Sequence, residues 1–260
     1  MNTLVINLAS ETVRMAFQIR QLTELGLPFT RFDARTPQSL PFPADDDYWK
    51  QWERPLREAE MAAYASHRAA WQLVADGNLP VLILEDDALL MPGTPIFLKR
   101  AEGLTGLDHV TLETRSRHKL LSNRTHPDAS MRRLWQDRSG AAAYVLWPSG
   151  AQKLLAHRPA IADAVICAAY DLESYQAEPA LAIQIDQCAA YGIAPPIEVD
   201  SAILTTRRPA LDGLPVMERA GYRWRRMMSQ VRMGLRHVTH LPDSSRRFVK
   251  PAIHADGARA

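Results

Sequence analysis

Three consecutive carboxylates, Glu85-Asp86-Asp87, follow directly on the apolar run of residues 81–84. An unbroken apolar run suits a strand covered on both faces, as in a central parallel sheet. The acids therefore stand where a buried strand ends, and ligands of open α/β sheets bind at that edge. Packed carboxylates repel, and each needs a cation or strong donors to stay ionised. A divalent metal meets that need, and hard carboxylate oxygens suit Mn2+ or Mg2+. Such sites commonly use one or two carboxylates, with substrate phosphates completing the shell. The plainer alternative is a solvated turn whose Asp residues cap the next element. Spacing alone leaves open a nucleotide-sugar transferase and a metal-dependent phosphatase or nuclease. Neither GxGxxG nor a P-loop pattern occurs, so phosphates would be held by metal and side chains rather than by a glycine-rich loop. No Cys/His spacing of the zinc type occurs either.

The elements that must position this cluster are legible around it. Residues 3–8 form a short apolar run, and residues 13–25 carry helical spacing at Val13, Phe17, Leu22 and Leu25, closed by Gly26. Residues 29–34 read as a second strand, so the chain opens β-α-β, which predicts a parallel sheet with right-handed crossovers. Residues 37–55 are rich in Pro and Asp and predict a surface loop. Residues 57–76 form the clearest helix. Ala62, Ala65, Ala69 and Leu73 make one apolar stripe on it, and Glu60, Tyr64, His67 and Trp71 line an adjacent face. Further strands are expected over 110–114, 142–147 and 180–185, and a helix over 149–156 capped by Ser149. The polar, basic stretch 112–138 predicts a mobile loop near the site.

The 260 residues are enough for a large α/β domain, and 47% hydrophobic with 23% charged residues is ordinary for a globular protein. A net charge of +2 gives no nucleic-acid signature. Cys167 and Cys188 form no CxxC pair and read as buried, reduced thiols. No signal-peptide pattern and no run of about 20 apolar residues is present, which predicts a cytoplasmic protein. The charge is uneven. Residues 1–215 read as the catalytic domain, and residues 216–260 as a basic helical segment and tail. There Arg223, Arg225, Arg226, Arg232 and Arg236 alternate with Trp224, Met227, Met228, Val231 and Leu235. That pattern suits an interfacial helix on anionic lipid, with a solvated helix packed on the domain as the alternative.

Several blocks taken in order then resemble a known family. They are Val5-Ile6-Asn7-Leu8 with Arg14, Phe32-Asp33-Ala34, the helix segment from Glu60 through Ser66-His67, and Ile83-Leu84-Glu85-Asp86-Asp87. A weaker block spans residues 141–146 and 150–155. The sequence resembles glycosyltransferase family 25, the lipopolysaccharide and lipooligosaccharide biosynthesis transferases. Two positions depart from its pattern: Ala62-Ala63 stand where Gly-Cys is usual, and Ala162 replaces the Val before Asp163.

The resemblance implies an α/β, GT-A-like fold, Rossmann-related, with a mostly parallel central sheet flanked by helices. It implies a UDP-sugar donor, galactose or glucose, and an inverting transfer to a glycan or lipid-linked oligosaccharide acceptor. Asn7, Leu8 and Arg14 would lie near the nucleotide, and Asp33 and Ala34 beside the uracil or ribose. Glu60, Ser66 and His67 would meet the donor or brace the metal loop. Asp87 and Glu85 would coordinate Mn2+ or Mg2+, with Asp86 orienting the loop. An inverting transfer also needs a general base, for which Asp163 is the first candidate and Asp186 the second. Two other functions remain expressed by the same residues: a metal-dependent phosphoesterase, and an inactive nucleotide- or glycan-binding module. The enzyme is expected to sit in the cytoplasm, peripherally on the inner face of the membrane.

Overall fold

The computed structural model describes residues 1–138, 140–198, 211 and 213–253. β1 (Asn2–Asn7), α1 (Thr12–Glu24) and β2 (Phe29–Asp33) are followed by α2 (Glu58–Ala75), β3 (Val81–Glu85), β4 (Ala88–Leu90) and α3 (Thr94–Ala101). β5 (His109–Thr111) precedes a hairpin of β6 (Lys119–Thr125) and β7 (Met131–Gln136). β8 (Ala143–Leu146), α4 (Pro148–Ala156), α5 (Ala162–Ala168), β9 (Ser174–Ala177) and β10 (Ala182–Gln184) come next. α6 (Val216–His240) and β11 (Ser244–Arg247) close the series.

Nine strands form one sheet in the order β11-β6-β7-β9-β5-β8-β3-β1-β2, and β10 pairs with β4 beside it. The architecture is the α/β, GT-A-like arrangement expected, a central sheet with helices on both faces. Pairing is parallel across β3-β1-β2 and again between β5 and β9. The other neighbours run antiparallel, as the β6–β7 hairpin requires.

Alternation along the strands divides the core. Val5, Leu82 and Leu84 face one way, onto Phe17 and Leu22 of α1 and Leu98 of α3. Leu4, Ile6, Val81 and Ile83 face the other, onto Tyr64, Trp71 and Val74 of α2 and Leu154 of α4. Both faces are covered, which is why residues 81–84 carry no polar alternation. α1 ends as expected. Gly26 takes the left-handed conformation at φ 65°, and the Leu27 N–H returns to the Leu22 carbonyl at 2.9 Å.

Four local expectations are corrected. Residues 112–138 are not a mobile loop: about half of them build β6 and β7, whose polar side chains face outward or find partners in neighbouring strands, as Arg133 does at Ser174 O at 2.6 Å. Residues 37–55 include two short 3-10 turns, and Trp49 within them is buried against Tyr64. Ser149 does not cap α4. Trp147 occupies the N-cap and Pro148 opens the helix, while Ser149 Oγ donates to Asp108 Oδ1 at 2.6 Å. A Cβ on Gly150 would meet the Asp108 carbonyl oxygen at 2.2 Å, so only glycine lets α4 approach this closely. Finally, α2 buries the face of Glu60, Tyr64, His67 and Trp71, and Leu73 of the expected apolar stripe is exposed.

Candidate active site

The register of the parallel strands sets Asn7 opposite Asp33 and Ile6 opposite Glu85, so three strand ends share one edge. The winding also reverses at β1, with β2 on one side and β3 on the other. Open α/β sheets bind ligands in the crevice at such a switch.

The chain turns immediately after Glu85, and Asp86-Asp87 link β3 to β4. Asp86 faces back into the fold: its Oδ2 accepts from Asn7 Nδ2 at 2.8 Å and its Oδ1 from Arg14 Nη1 at 3.3 Å. α1 holds the backbone of the same turn. Gln18 Nε2 donates to Asp86 O at 3.1 Å and to Ala88 O at 2.8 Å, and Gln21 Oε1 accepts from Leu90 N at 2.8 Å. Burial raises the Asp86 carboxyl above its ordinary range, against the opposing pull of Asn7 and Arg14.

Glu85 and Asp87 instead share a partner. Gln184 Nε2 of β10 lies 3.2 Å from Glu85 Oε2 and 3.3 Å from Asp87 Oδ2. A neutral amide brings no charge to offset two carboxylates. Burial, then the charges of Glu85 and Asp86, push the Asp87 carboxyl up to about 7. Arg14 pulls the other way but only in part, and two hard carboxylates bridged by a neutral amide are a donor set that fits Mn2+ or Mg2+ shared with phosphate. Among the described residues no group of three or more His, Cys, Asp or Glu side chains is arranged to hold an ion.

A buried chain fixes Glu85. Trp71 Nε1 donates to the Tyr144 hydroxyl at 2.8 Å, Tyr144 contacts His67 Nδ1 at 2.9 Å, and His67 Nε2 lies 3.1 Å from Glu85 Oε1. Indole is only a donor and an ionised carboxylate only an acceptor. Trp71 therefore donates to Tyr144 at one end of the chain, and His67 Nε2–H donates to Glu85 at the other. Tyr144 and Trp71 belong to the site's supporting shell, and neither stands out in the sequence as more than a core aromatic.

Glu85 also lines a cavity of about 200 Å³ with Glu60, Glu113, Arg115, Asp163 and Gln184. Of the two base candidates, Asp163 is brought into this cavity. Burial, then the charge of Glu85, raises its carboxyl above the ordinary range. Asp186 is not brought there: it lies on the 3-10 turn after β10, and its exposed carboxylate pairs with Arg115 at 3.2 Å. Glu60 lines the wall but is held by Arg54 at 2.8 Å through both oxygens and caps the Arg57 N–H at 3.0 Å.

Glu113 is the carboxyl the sequence reading missed. It is buried, its Oε2 accepts from Ala142 N at 3.0 Å, and its Oε1 has no partner. Burial pushes it up to about 8. The only available signal was a lone acid inside a run otherwise suited to a strand.

The remaining residues lie nearby with separate duties. Asn7 Oδ1 accepts from Arg31 Nε at 2.9 Å, and Asn7 O accepts from Ala34 N at 3.0 Å. Asp33 is exposed and paired with Arg31 at 2.7 Å, and Leu8 is half-buried at the end of β1. Ser66 and His67 point apart: Ser66 Oγ accepts from Arg35 N at 2.8 Å and donates to Ala62 O.

A larger cavity of about 530 Å³ lies beyond the acidic one, with Trp52, Arg158, Tyr170, Trp224, Arg225 and Arg232 in its lining. The segment at the start of α5 separates the two. Ile161 and Asp163 face the acidic cavity, and Ala160 and Val165 face the larger one.

Comparison with known proteins names the family. The model of glycosyltransferase family 25 (LPS biosynthesis protein) matches residues 1–169. The chain belongs to that family and is a glycosyltransferase. It is 25% identical over 201 residues to the lipooligosaccharide biosynthesis protein lic2B of Haemophilus influenzae, covering 70% of this chain and 76% of that protein. Among solved structures it is similar to a mutant of Drosophila β-1,4-galactosyltransferase 7 in complex with manganese, UDP-Gal and xylobiose. That likeness has a TM-score of 0.40 at 10% identity, over 81% of this chain and 80% of that one. A T. maritima inositol-1-phosphate CTP transferase gives a TM-score of 0.38 at 12% identity, over 72% of this chain and 90% of that one.

Proposed function

We propose that the enzyme transfers a hexose, galactose or glucose, from a UDP-sugar to a lipopolysaccharide- or lipooligosaccharide-type glycan, with inversion and with Mn2+ or Mg2+. One observation carries this reading: Glu85 and Asp87, bridged by Gln184, stand at the carboxyl end of β3 with a half-buried Asp163 lining the cavity that Glu85 shares. Glu85 and Asp87 would hold the cation, whose chemistry would be to neutralise charge developing on the diphosphate leaving group. His67 keeps Glu85 from rotating away. Asp86 and Arg14 lock the turn against α1 so that the two ligands keep their spacing.

Asp163 accepts the proton of the acceptor hydroxyl as that oxygen attacks the anomeric carbon from the face opposite UDP. Its raised carboxyl brings the base closer to working pH than an exposed aspartate would be. The larger cavity beyond α5 holds the rest of the acceptor, since sugar rings stack well on Trp52 and Tyr170 and Arg158 suits anionic substituents.

The test is Asp87→Asn, assayed with UDP-galactose and UDP-glucose in Mn2+ and in EDTA. Transfer should fall by at least about 100-fold, with the melting temperature kept or raised because a strained carboxylate is removed. Near-normal turnover in the variant would overturn the assignment.

A further inference from the structure

α6 docks the wrong way round for a soluble amphipathic helix. At 3.6 residues per turn, Met217, Trp224, Met227, Val231, Leu235 and Val238 fall in one stripe along its 25 residues. All six are exposed, from 45% at Met227 to 83% at Met217. The opposite, polar face is the one that packs. Arg225 Nε donates to Trp52 O at 2.7 Å, Arg236 Nε to Trp135 O at 2.5 Å, and His240 stacks on Trp135 at 3.7 Å. Tyr222 is the buried residue of the helix. A surface helix ordinarily turns its apolar stripe to the core, and an exposed apolar strip of this length marks an interaction surface.

Charge selects the occupant. The helix carries six arginines against one acid, Glu218. Exposed Arg223 and Arg226 flank the stripe on one side and exposed Arg232 on the other. A second copy of the chain laid on this stripe would bring basic borders against basic borders, with almost no acid to pair them. Phospholipid phosphates complement them on both sides. Trp, Met and Leu on one face with Arg on the other is the composition of a helix lying in the headgroup region. No helix of the described residues is long and apolar enough to cross a membrane.

We propose that α6 is a membrane-docking surface whose occupant is an anionic phospholipid bilayer, with the apolar stripe inserted at the headgroup boundary and the bordering arginines on lipid phosphates. The larger cavity is bounded by the same helix, through Trp224, Arg225 and Arg232. Docking therefore sets that cavity beside the lipid surface. The proposal stands on α6 alone and does not depend on the transfer reaction.

The experiment is vesicle flotation of the full chain with phosphatidylcholine alone and with added phosphatidylglycerol, at low and high salt. The protein should float with the anionic vesicles only and be released by salt. Arg223→Glu should weaken binding by about five-fold or more, and Val231→Glu with Leu235→Glu by about ten-fold or more. The last variant should keep the wild-type circular dichroism spectrum and melting temperature, because both positions are exposed. Absence of flotation with anionic vesicles at low salt would overturn the proposal, as would equal binding by the double variant. A wild-type dimer that the double variant converts to a monomer would also overturn it, and would assign the stripe to a second copy.

Discussion

α2 and α6 are both amphipathic, and they treat the stripe that apolar periodicity marks differently. α2 turns Leu73 outward but buries Ala62 and Ala65 of its stripe, together with Glu60, Ser66 and His67 alongside Tyr64 and Trp71. Each of those polar groups meets a partner: Glu60 meets Arg54, Ser66 the backbone of Arg35, and His67 both Tyr144 and Glu85. Buried polar groups are tolerated on such terms, and the large aromatics beside them supply the apolar burial. α6 also docks through polar groups, yet its apolar stripe stays exposed. The difference separates two uses of polarity. On α2 it builds a site inside the fold, and on α6 it spares an apolar surface for something outside.

Breaking the α2 side should produce the largest effects. Trp71 is fully buried and donates to Tyr144, so Trp71→Ala removes packing and a hydrogen bond together. The expected loss is about 3–5 kcal/mol in urea unfolding. A loss under about 1 kcal/mol would mean that α2 is not anchored by this face.

Glu113 is a buried carboxyl of the cavity beside α2 with one oxygen unpartnered. Its folded carboxyl is pushed up to about 8, above the unfolded value, so it is protonated in the fold at neutral pH. Below the unfolded pKa both states are protonated and stability is full. As pH rises towards 8 the unfolded chain ionises first and stability is lost. Glu113→Gln should remove this dependence. Its advantage over the wild type should grow by on the order of 2 kcal/mol between about pH 5 and pH 8, read from denaturant midpoints. A constant difference between the two proteins across that window would show that Glu113 does not titrate there.

How far the sequence could anticipate all this depends on which signals are local. β1 and β3 were legible because both sheet faces are covered there and the strands read as plain apolar runs, and α1 and α2 by their helical spacing. The edge cluster was legible because Asn7, Asp33 and Glu85 each close a strand. β6 and β7 were not, since Lys119, Arg132 and Arg133 give those strands a loop-like composition. Their polar groups are satisfied only by distant residues: Lys119 by Gln176, Arg132 by Glu178, Arg133 by Ser174. Ser149 looked like a cap because Asp108, the group that takes its hydroxyl, lies 41 residues away. Glu113 acquires meaning only through the cavity it shares with Asp163 and Glu85.

His67→Gln tests the site side of the comparison more finely. Glutamine can still donate to Glu85 but loses the link back to Tyr144 and Trp71. The Mn2+ concentration needed for half-maximal activity should rise by about ten-fold, with a smaller change in the apparent KM for acceptor. An unchanged metal requirement would reduce His67 to a packing residue.

The smallest effect should come from α6. Leu235 is exposed and packs on nothing buried, so Leu235→Ser should shift stability by no more than about 0.5 kcal/mol in detergent-free buffer. The same change made on α2, at a buried position, would cost several times more, because there the lost area had been removed from water. If Leu235→Ser costs as much as a core substitution, the stripe is already covered in the isolated chain. The contrast between the two helices would then be one of partner, not of exposure.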